Sequence, residues 1–474
     1  MTVVTRIAPS PTGNLHLGTV RTALYNVVFS KRNNGKFLFR LEDTDRERSK
    51  EEFTQEIIDG FNWLGIKWDG EMLRQSTRNA EHTKYVEDLI AAGKAYKCFA
   101  TPEELDEMRK LQRQKKQPEG YDNRGRNYTE EQIKVFEAEG RKYVIRLNLG
   151  EDRDVKWTDL VRGEMSINTK DLGGDLVIQK GNGQVLYNFA VVADDHDMGM
   201  THIFRGEDHL TNTAKQIVTY EALGFPVPSF GHLPLIFTKD KQKLSKRKHG
   251  DIAGVEKYRK EGYLPEALVN YLVSTSYTNP NTDEPEIQTL DEMSKSFEVS
   301  GLSKSPAIYD IQKLNWFNRE YMAKLSHAEL MCYLKPFLTY DLSQFSEADQ
   351  ELLIDGVRGN LNKFDEINSN ISYFFGEDEL DPKLEKFLQE GVDVNKALLR
   401  KIEAGEFDFS NASQMKDEIN KLGEELGLKA KQLFWPIRIA ISARSSGPDL
   451  GFVMYILGKD RVIERINSAL SLVK

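Results

Sequence analysis

"RIAPSPTGNLHLGTVRTALYN" runs from Arg6 to Asn26, and its punctuation decides the fold. The residues that lead into it, Val3 to Ala8 (VVTRIA), are short, β-branched and apolar, the pattern of a buried strand. Pro9, Pro11 and Gly13 break that strand, because proline fixes φ and glycine tolerates positive φ. From Leu17 the apolar residues return at helical spacing, at Val20, Leu24, Val27 and Val28. Asn33, Asn34 and Gly35 end this helix with a left-handed signal. A strand, a Pro/Gly turn and a helix start together aim backbone N–H groups and the helix dipole at one point, which suits an anion. His16 and Gly18 stand at that point.

Outward from this unit, "KFLFRLEDTD" (Lys36 to Asp45) alternates as a second strand and delivers Glu42, Asp43 and Asp45 at its carboxyl end. Helical patterns follow at Lys50 to Leu64 and Asn79 to Ala92. Strand–helix–strand–helix order predicts a parallel sheet, whose ligands sit beyond the carboxyl ends of the strands. From Thr101 to Asp175 the alternation breaks into a charged helical stretch and short strands, "KYVIRLNLG" and "EMSIN", the mark of an α+β insertion. "DLVIQKGNGQVLYNFAVVADD" (Asp175 to Asp195) predicts a hairpin through Gly181, Asn182 and Gly183, leading into a long apolar strand. "THIFRGEDHL" predicts a strand ending at Arg205, Gly206 and Glu207, followed by a helix from Thr211 to Leu223. "HLPLIF" (His232 to Phe237) predicts another strand, followed by a lysine-rich loop. Beyond Glu320 the pattern is helical only. The predicted division is 1–100 and 186–320 for an α/β catalytic domain, 101–185 for its insertion, and 321–474 for an all-α domain.

A chain of 474 residues has room for about three domains. With 39% hydrophobic and 29% charged residues it reads as a cored, water-soluble protein, and no run approaches the length of a membrane span. Cys98 and Cys332 are the only cysteines, which excludes a disulfide framework and points to a reducing cytoplasm. The net charge of −9 opposes non-specific binding to nucleic acid. Any such contact then needs local basic surface, for which "RKLQRQKKQ" (Arg109 to Gln117) and "KDKQKLSKRKHG" (Lys239 to Gly250) are the candidates. For the first, solvated surface charge is the simpler reading. In the second, "KLSKR" (Lys243 to Arg247) sets two lysines three apart around a serine, closed by Gly250. Lysine is a mobile point charge able to follow phosphate charge as it shifts. Gly18, two residues past His16, leaves room for a flat base against the backbone.

"HLGT" (His16 to Thr19) and "KLSKR" resemble the HIGH and KMSKS signatures of class I aminoacyl-tRNA synthetases. The wider blocks "RIAPSPTGNLHLGTVRTALYN", "LFRLEDTD", "YNFAVVADDHDMGMTHIFRGEDHL" and "KLNWFNREYM" resemble the bacterial glutamyl-tRNA synthetase family, in order and over nearly all of the chain before the helical end. The resemblance implies a Rossmann-like catalytic domain and an anticodon-binding helical domain. It implies that the α-carboxylate of L-glutamate attacks the α-phosphorus of ATP, pyrophosphate leaves, and the terminal adenosine of tRNA(Glu) takes the glutamyl group. No enzyme nucleophile is required, so catalysis is positioning and electrostatics. His16, Lys243 and Lys246 are then the catalytic residues, and His16, Gly18, Thr19, Lys243, Ser245 and Lys246 hold ATP. Arg6, Ala8, Ser10, Glu42, Tyr187 and Arg205 form the glutamate pocket, with Arg6 forking onto the side-chain carboxylate and Arg205 taking the α-carboxylate. Val191 stands where some relatives carry asparagine. Taken singly, Arg40–Glu42 and Arg205–Glu207 also read as same-face strand pairs of little worth.

Magnesium is expected with ATP, bridging phosphates. Some relatives carry a zinc knuckle in the insertion; here Cys98 is followed by Ala100, and "YDNRGRNY" has no cysteine, so no zinc is expected. Lys115 and Lys116 are candidates for the acceptor end of tRNA, and Arg358, Trp435, Arg438 and Arg444 for the anticodon. For Phe434 and Trp435, helix packing is the better reading. A monomer is expected. The rival readings are a glutaminyl-tRNA synthetase, which usually ends in β-barrels, and a tRNA-modifying glutamyl transferase, which lacks the anticodon domain.

Overall fold

The computed structural model describes residues 2–244, 250–280, 287–376, 378 and 380–473. The chain forms two units, one of Met1–Tyr258 with Pro265–Ile311 and one of Arg259–Leu264 with Gln312–Lys474.

In the first unit, β1 (Val4–Ile7) pairs in parallel with β2 (Lys36–Leu41), Val4 opposite Lys36 and Ile7 opposite Phe39. β3 (Leu73–Arg74) extends this sheet beside β2. The crossover helix α1 (Leu17–Arg32) buries Leu17, Val20, Leu24 and Val28 completely, as its spacing predicts. It ends where Asn34, not Gly35, takes the left-handed conformation, at φ 50°. Gly35 answers a different demand: a Cβ there would meet the Val3 carbonyl oxygen at 2.2 Å. α2 (Glu51–Trp63) and α3 (Asn79–Ala91) follow within a residue of the predicted bounds.

An antiparallel sheet of β4 (Ala95–Cys98), β5 (Val144–Leu147) and β8 (Leu176–Gln179) interrupts this order, with α4 (Pro102–Gln114) and α5 (Glu130–Ala138) between its strands. The hairpin of β6 (Asp154–Asp159) and β7 (Gly163–Asn168) is anchored beyond its own pair, Leu160 N–H donating to the Phe230 carbonyl at 2.8 Å.

The segment after Gly183 corrects the sequence reading. The turn at Lys180–Gln184 is present, but the apolar run that follows is α6 (Tyr187–Asp197), not a long strand. Phe189 through Asp195 are all buried, so the helix has no polar face to reveal a period of 3.6. "HLPLIF" is also two pieces: β10 (Ser229–Leu233) and β11 (Ile236–Phe237) are separated at Pro234, which has no N–H for a ladder. β9 (His202–Gly206) pairs in parallel with β10, and α7 (Leu210–Leu223) follows it. The two halves meet where Thr201 N–H donates to the Val4 carbonyl at 3.0 Å. Asn26 of α1 helps, its amide donating to the Phe204 carbonyl at 2.9 Å.

The second unit is helical, including Glu347–Arg358, Val392–Glu403, Ala412–Glu425, Ala430–Ser442 and a long final helix, Leu450–Leu472, kinked at Gly458. Among the described residues no helix is long and apolar enough to cross a membrane.

Candidate active site

The carboxyl ends of β1, β2, β9 and β10 open onto one cavity of about 620 Å³, the place an open parallel sheet reserves for ligand. Arg6, Ala8, Ser10, His16, Gly18, Thr19, Glu42, Tyr187, Arg205 and Lys243 all line it. Ser245 and Lys246, the other two nucleotide candidates, lie outside the described residues.

His16 is the N-cap of α1, its Nδ1 accepting the Gly18 N–H at 3.0 Å. A Cβ on Gly18 would meet only this ring, Nδ1 at 3.3 Å, so the open space beside Gly18 belongs to the cavity. Thr22 Oγ donates to the Gly18 carbonyl at 2.9 Å and fixes the first turn. Across the cavity Lys243 Nζ lies 2.9 Å from Asp208 Oδ2.

The other end is a buried charge network that the sequence only half revealed. Arg6 forks onto Asp195 of α6, Nε to Oδ1 at 3.1 Å and Nη2 to Oδ2 at 3.0 Å. Arg40, fully buried, donates to Asp195 Oδ1 at 2.5 Å and to Glu42 Oε1 at 3.1 Å. Burial works to raise the Asp195 carboxyl, but Arg40 and Arg6 hold it below the ordinary range. For Glu42, burial prevails over the same two arginines and lifts its pKa. Asp194 carries a second cluster, accepting from Gln75 Nε2 at 2.7 Å and lying 2.7 Å from His82 Nε2. The Arg40–Glu42 pair is thus real but buried, whereas Glu207 takes Arg162 and the Leu235 N–H instead of Arg205.

Arg205 differs from its neighbours. Among the described residues no carboxylate pairs with it; its partners are His232 Nε2 at 3.3 Å and Thr213 Oγ1 at 2.5 Å. Its guanidinium stands 5.1 Å over the Phe230 ring, and burial pushes its pKa down to about 10. Beside it His209 is pushed down to about 4, by burial first and then by Arg205, so it is neutral at neutral pH. The Tyr187 hydroxyl lies 3.4 Å from His209 Nδ1, and burial raises its pKa. Val191 is buried in α6.

Sequence reasoning missed Asp194, Asp195, His209 and His232. Asp194 and Asp195 stood in the quoted "VVADD", but the strand reading hid that a helix turns them toward Arg6 and Arg40.

Elsewhere, Lys115 and Lys116 are exposed at the end of α4. Arg358 donates to Asp355 at 2.6 Å and to the Leu325 carbonyl at 2.9 Å. Arg444 pairs with Asp378 and donates to Ser372 Oγ at 2.8 Å. Trp435 packs edge-on to Phe387 at 5.0 Å, and Arg438, on the same helix, has its pKa lowered by burial. Cys98 is buried with Sγ 3.1 Å from the Tyr121 hydroxyl.

Nucleotide signatures at the ends of a split parallel sheet, ahead of a helical unit, define a class I aminoacyl-tRNA synthetase. Residues 2–316 match the family described as tRNA synthetases class I (E and Q), catalytic domain, and residues 329–470 match an anticodon binding domain. The chain is 40% identical over 484 residues to the glutamate–tRNA ligase of Natranaerobius thermophilus, covering 98% of each. It is 41% identical to that of Synechocystis sp., covering 95% of each. A crystal structure of a glutamate tRNA ligase from Elizabethkingia meningosepticum, in complex with its amino acid, superposes with a TM-score of 0.87 at 32% identity over all of both chains. The chain belongs to the E and Q group of class I tRNA synthetases.

Proposed function

We infer that the chain's glutamate–tRNA ligase reaction takes place in the cavity at the strand ends. One observation carries this: the buried cations and acid suited to an amino acid with two carboxylates line the same cavity as the helix start and lysine suited to ATP. Arg205 receives the α-carboxylate and brings it toward the α-phosphate. Arg6, held by Asp195, faces the side-chain carboxylate together with Tyr187, while Glu42, Ser10 and the Ala8 backbone surround the ammonium. Gly18 and Thr19 admit the adenosine end of ATP, and His16 faces the α-phosphate. A carboxylate oxygen attacks the α-phosphorus and the bond to the bridging oxygen breaks, so negative charge moves onto pyrophosphate. Lys243, Ser245 and Lys246 stabilise that charge. The ribose hydroxyl of the terminal adenosine then attacks the glutamyl carbonyl and AMP departs.

Magnesium enters with ATP as the substrate's counter-ion. Cys98 lies just before the insertion, which itself contains no cysteine or histidine, so no zinc is proposed there. The insertion, 101–185, meets the acceptor end through Lys115 and Lys116, and the unit from about 321 reads the anticodon. There Arg358 and Arg444 are engaged by Asp355 and Asp378, so they release those partners or act as scaffolding, while Arg438 meets bases and Trp435, packed on Phe387, supports the helix that carries it. All the residues of the reaction are on one chain, so a monomer suffices.

The test is charging of purified tRNA(Glu) and tRNA(Gln) with labelled glutamate and labelled glutamine. Glutamate on tRNA(Glu) is expected; glutamine on tRNA(Gln) alone would favour the glutaminyl reading. Pyrophosphate exchange into ATP should be nearly silent without tRNA, and brisk exchange would count against the assignment.

A further inference from the structure

Arg205 is a buried cation held by neutral groups, and the orientation of one of them is set from outside the parallel sheet. His232, fully buried on β10, places Nε2 3.3 Å from Arg205 Nε and 2.8 Å from Thr213 Oγ1. Its Nδ1 lies 2.5 Å from Oδ2 of Asp159, the last residue of β6 in the inserted segment. The other oxygen, Oδ1, accepts three backbone N–H groups, from Val161 at 3.0 Å, Arg162 at 2.9 Å and His232 itself at 3.0 Å. An ionised carboxylate only accepts, so Nδ1 must carry the proton and Nε2 is left as a lone pair facing the Arg205 N–H. A doubly protonated ring would set a second cation against Arg205, with Arg162 also close through the His232 carbonyl at 3.4 Å. Burial lowers the His232 pKa and keeps the ring neutral, although Asp159 pulls the other way.

We propose that Asp159 and His232 are positioning residues for Arg205: Asp159 fixes the Nδ1–H tautomer of His232, and the Nε2 lone pair, which also faces the Thr213 hydroxyl, orients the guanidinium toward the substrate carboxylate. This rests on Arg205 being the carboxylate-binding group of the cavity. The three backbone donors make the tautomer testable by a single atom exchange. In Asp159→Asn the amide oxygen takes the place facing three N–H groups, so the –NH₂ faces Nδ1. The ring proton then moves to Nε2, and a donor faces a donor at Arg205.

The experiment measures charging kinetics and ¹⁵N-resolved imidazole NMR on the full chain. In the wild type His232 should show a protonated, far-downfield Nδ1–H and an unprotonated Nε2; in Asp159→Asn the two nitrogens should exchange roles. The KM for glutamate should rise about tenfold or more, the size of one lost hydrogen bond to a charged group, with the KM for ATP unchanged. His232→Gln, whose amide reaches the Nε2 position, should keep much of the glutamate affinity. His232→Asn, which reaches only the Nδ1 position, should lose it. Wild-type glutamate KM in Asp159→Asn, or a protonated Nε2 in the wild type, overturns the proposal. If Asp159→Asn fails to fold, equal glutamate KM values in the two His232 variants overturn it. Arg205→Met separates the two readings. Unchanged glutamate KM there removes the site assignment, whereas a raised KM beside a normal Asp159→Asn removes only the positioning.

Discussion

Arg6 reaches the cavity from β1 with its guanidinium already matched, Nε and Nη2 forked onto the two oxygens of Asp195 at 3.1 and 3.0 Å. A substrate carboxylate placed there, as proposed, would meet Arg6 as one side of a shared charge, in a fixed plane. Removing the matching charge leaves two buried guanidiniums, Arg6 and Arg40, facing each other. Asp195→Asn should cost about 3–5 kcal/mol of stability in urea unfolding, the scale of a broken buried ion pair. It should also raise the KM for glutamate, read in the charging assay.

Gly18 gives a test in which stability and function separate. The position is helical, but a Cβ would press on the His16 ring at 3.3 Å, so the propensity gain of Gly18→Ala, up to about 1 kcal/mol, is offset by displacement of the cap and the melting temperature should change little. The KM for ATP should rise, because the methyl group projects into the open space beside the helix start. A glycine kept for packing would instead show lost stability with normal ATP binding.

Lys246→Ala should lower the activation rate on the order of 10²–10³, by analogy with loss of one preorganised oxyanion donor, with the KM for ATP little changed. Lys246→Arg should not restore it fully, since a planar fork follows a moving phosphate less well than an ammonium does. Binding of tRNA, measured on the same preparation, should survive. Loss of tRNA binding alone would make the loop a docking surface.

Acid should act through Asp159. Burial works to raise its pKa, but His232 and the backbone N–H groups of Arg162 and His232 outweigh this and hold it at about 2. A folded value below the unfolded one, about 3.9, means stability fully present above about pH 4 and lost as pH falls toward 2. The loss is about 2 kcal/mol, and Asp159→Asn should remove that part of the slope in acid unfolding followed by circular dichroism.

Glu42 should shift function at milder pH. Burial raises its pKa, so it takes up a proton at a higher pH than an exposed glutamate, and the neutral carboxyl no longer attracts an ammonium bound beside it. The KM for glutamate should climb on acidification while the KM for ATP does not, and Glu42→Gln should flatten that climb.

The parts of this site legible in the sequence are those fixed by local chemistry. The turn of Pro9, Pro11 and Gly13, the His16 cap and the β2 end at Glu42 all follow from residues within a few positions of one another. The illegible parts are long-range. Asp195 meets Arg6 across 189 positions, and Asp159 meets His232 across 73. α6 was misread because a helix buried on every side has no polar stripe, and the aspartates that would have signalled a surface are themselves buried. Pro234 was a visible break in "HLPLIF" whose meaning, two strands in two sheets, only the pairing of β11 with Ala307–Ile308 explains.

Arg205, which has no carboxylate partner among the described residues, makes the protein a compromise. A dehydrated positive charge lowers the stability of the fold, and on the proposed assignment a substrate carboxylate bound there would restore it. Activity and robustness then pull in opposite directions at one residue: Arg205→Met should melt higher than the wild type without glutamate, by on the order of 1 kcal/mol, while losing glutamate-induced stabilisation. The same imbalance makes the site receptive to any small anion that fits. Chloride, acetate and phosphate buffers at equal ionic strength should therefore give different apparent affinities for glutamate, and the choice of counter-ion becomes part of the enzyme's specificity.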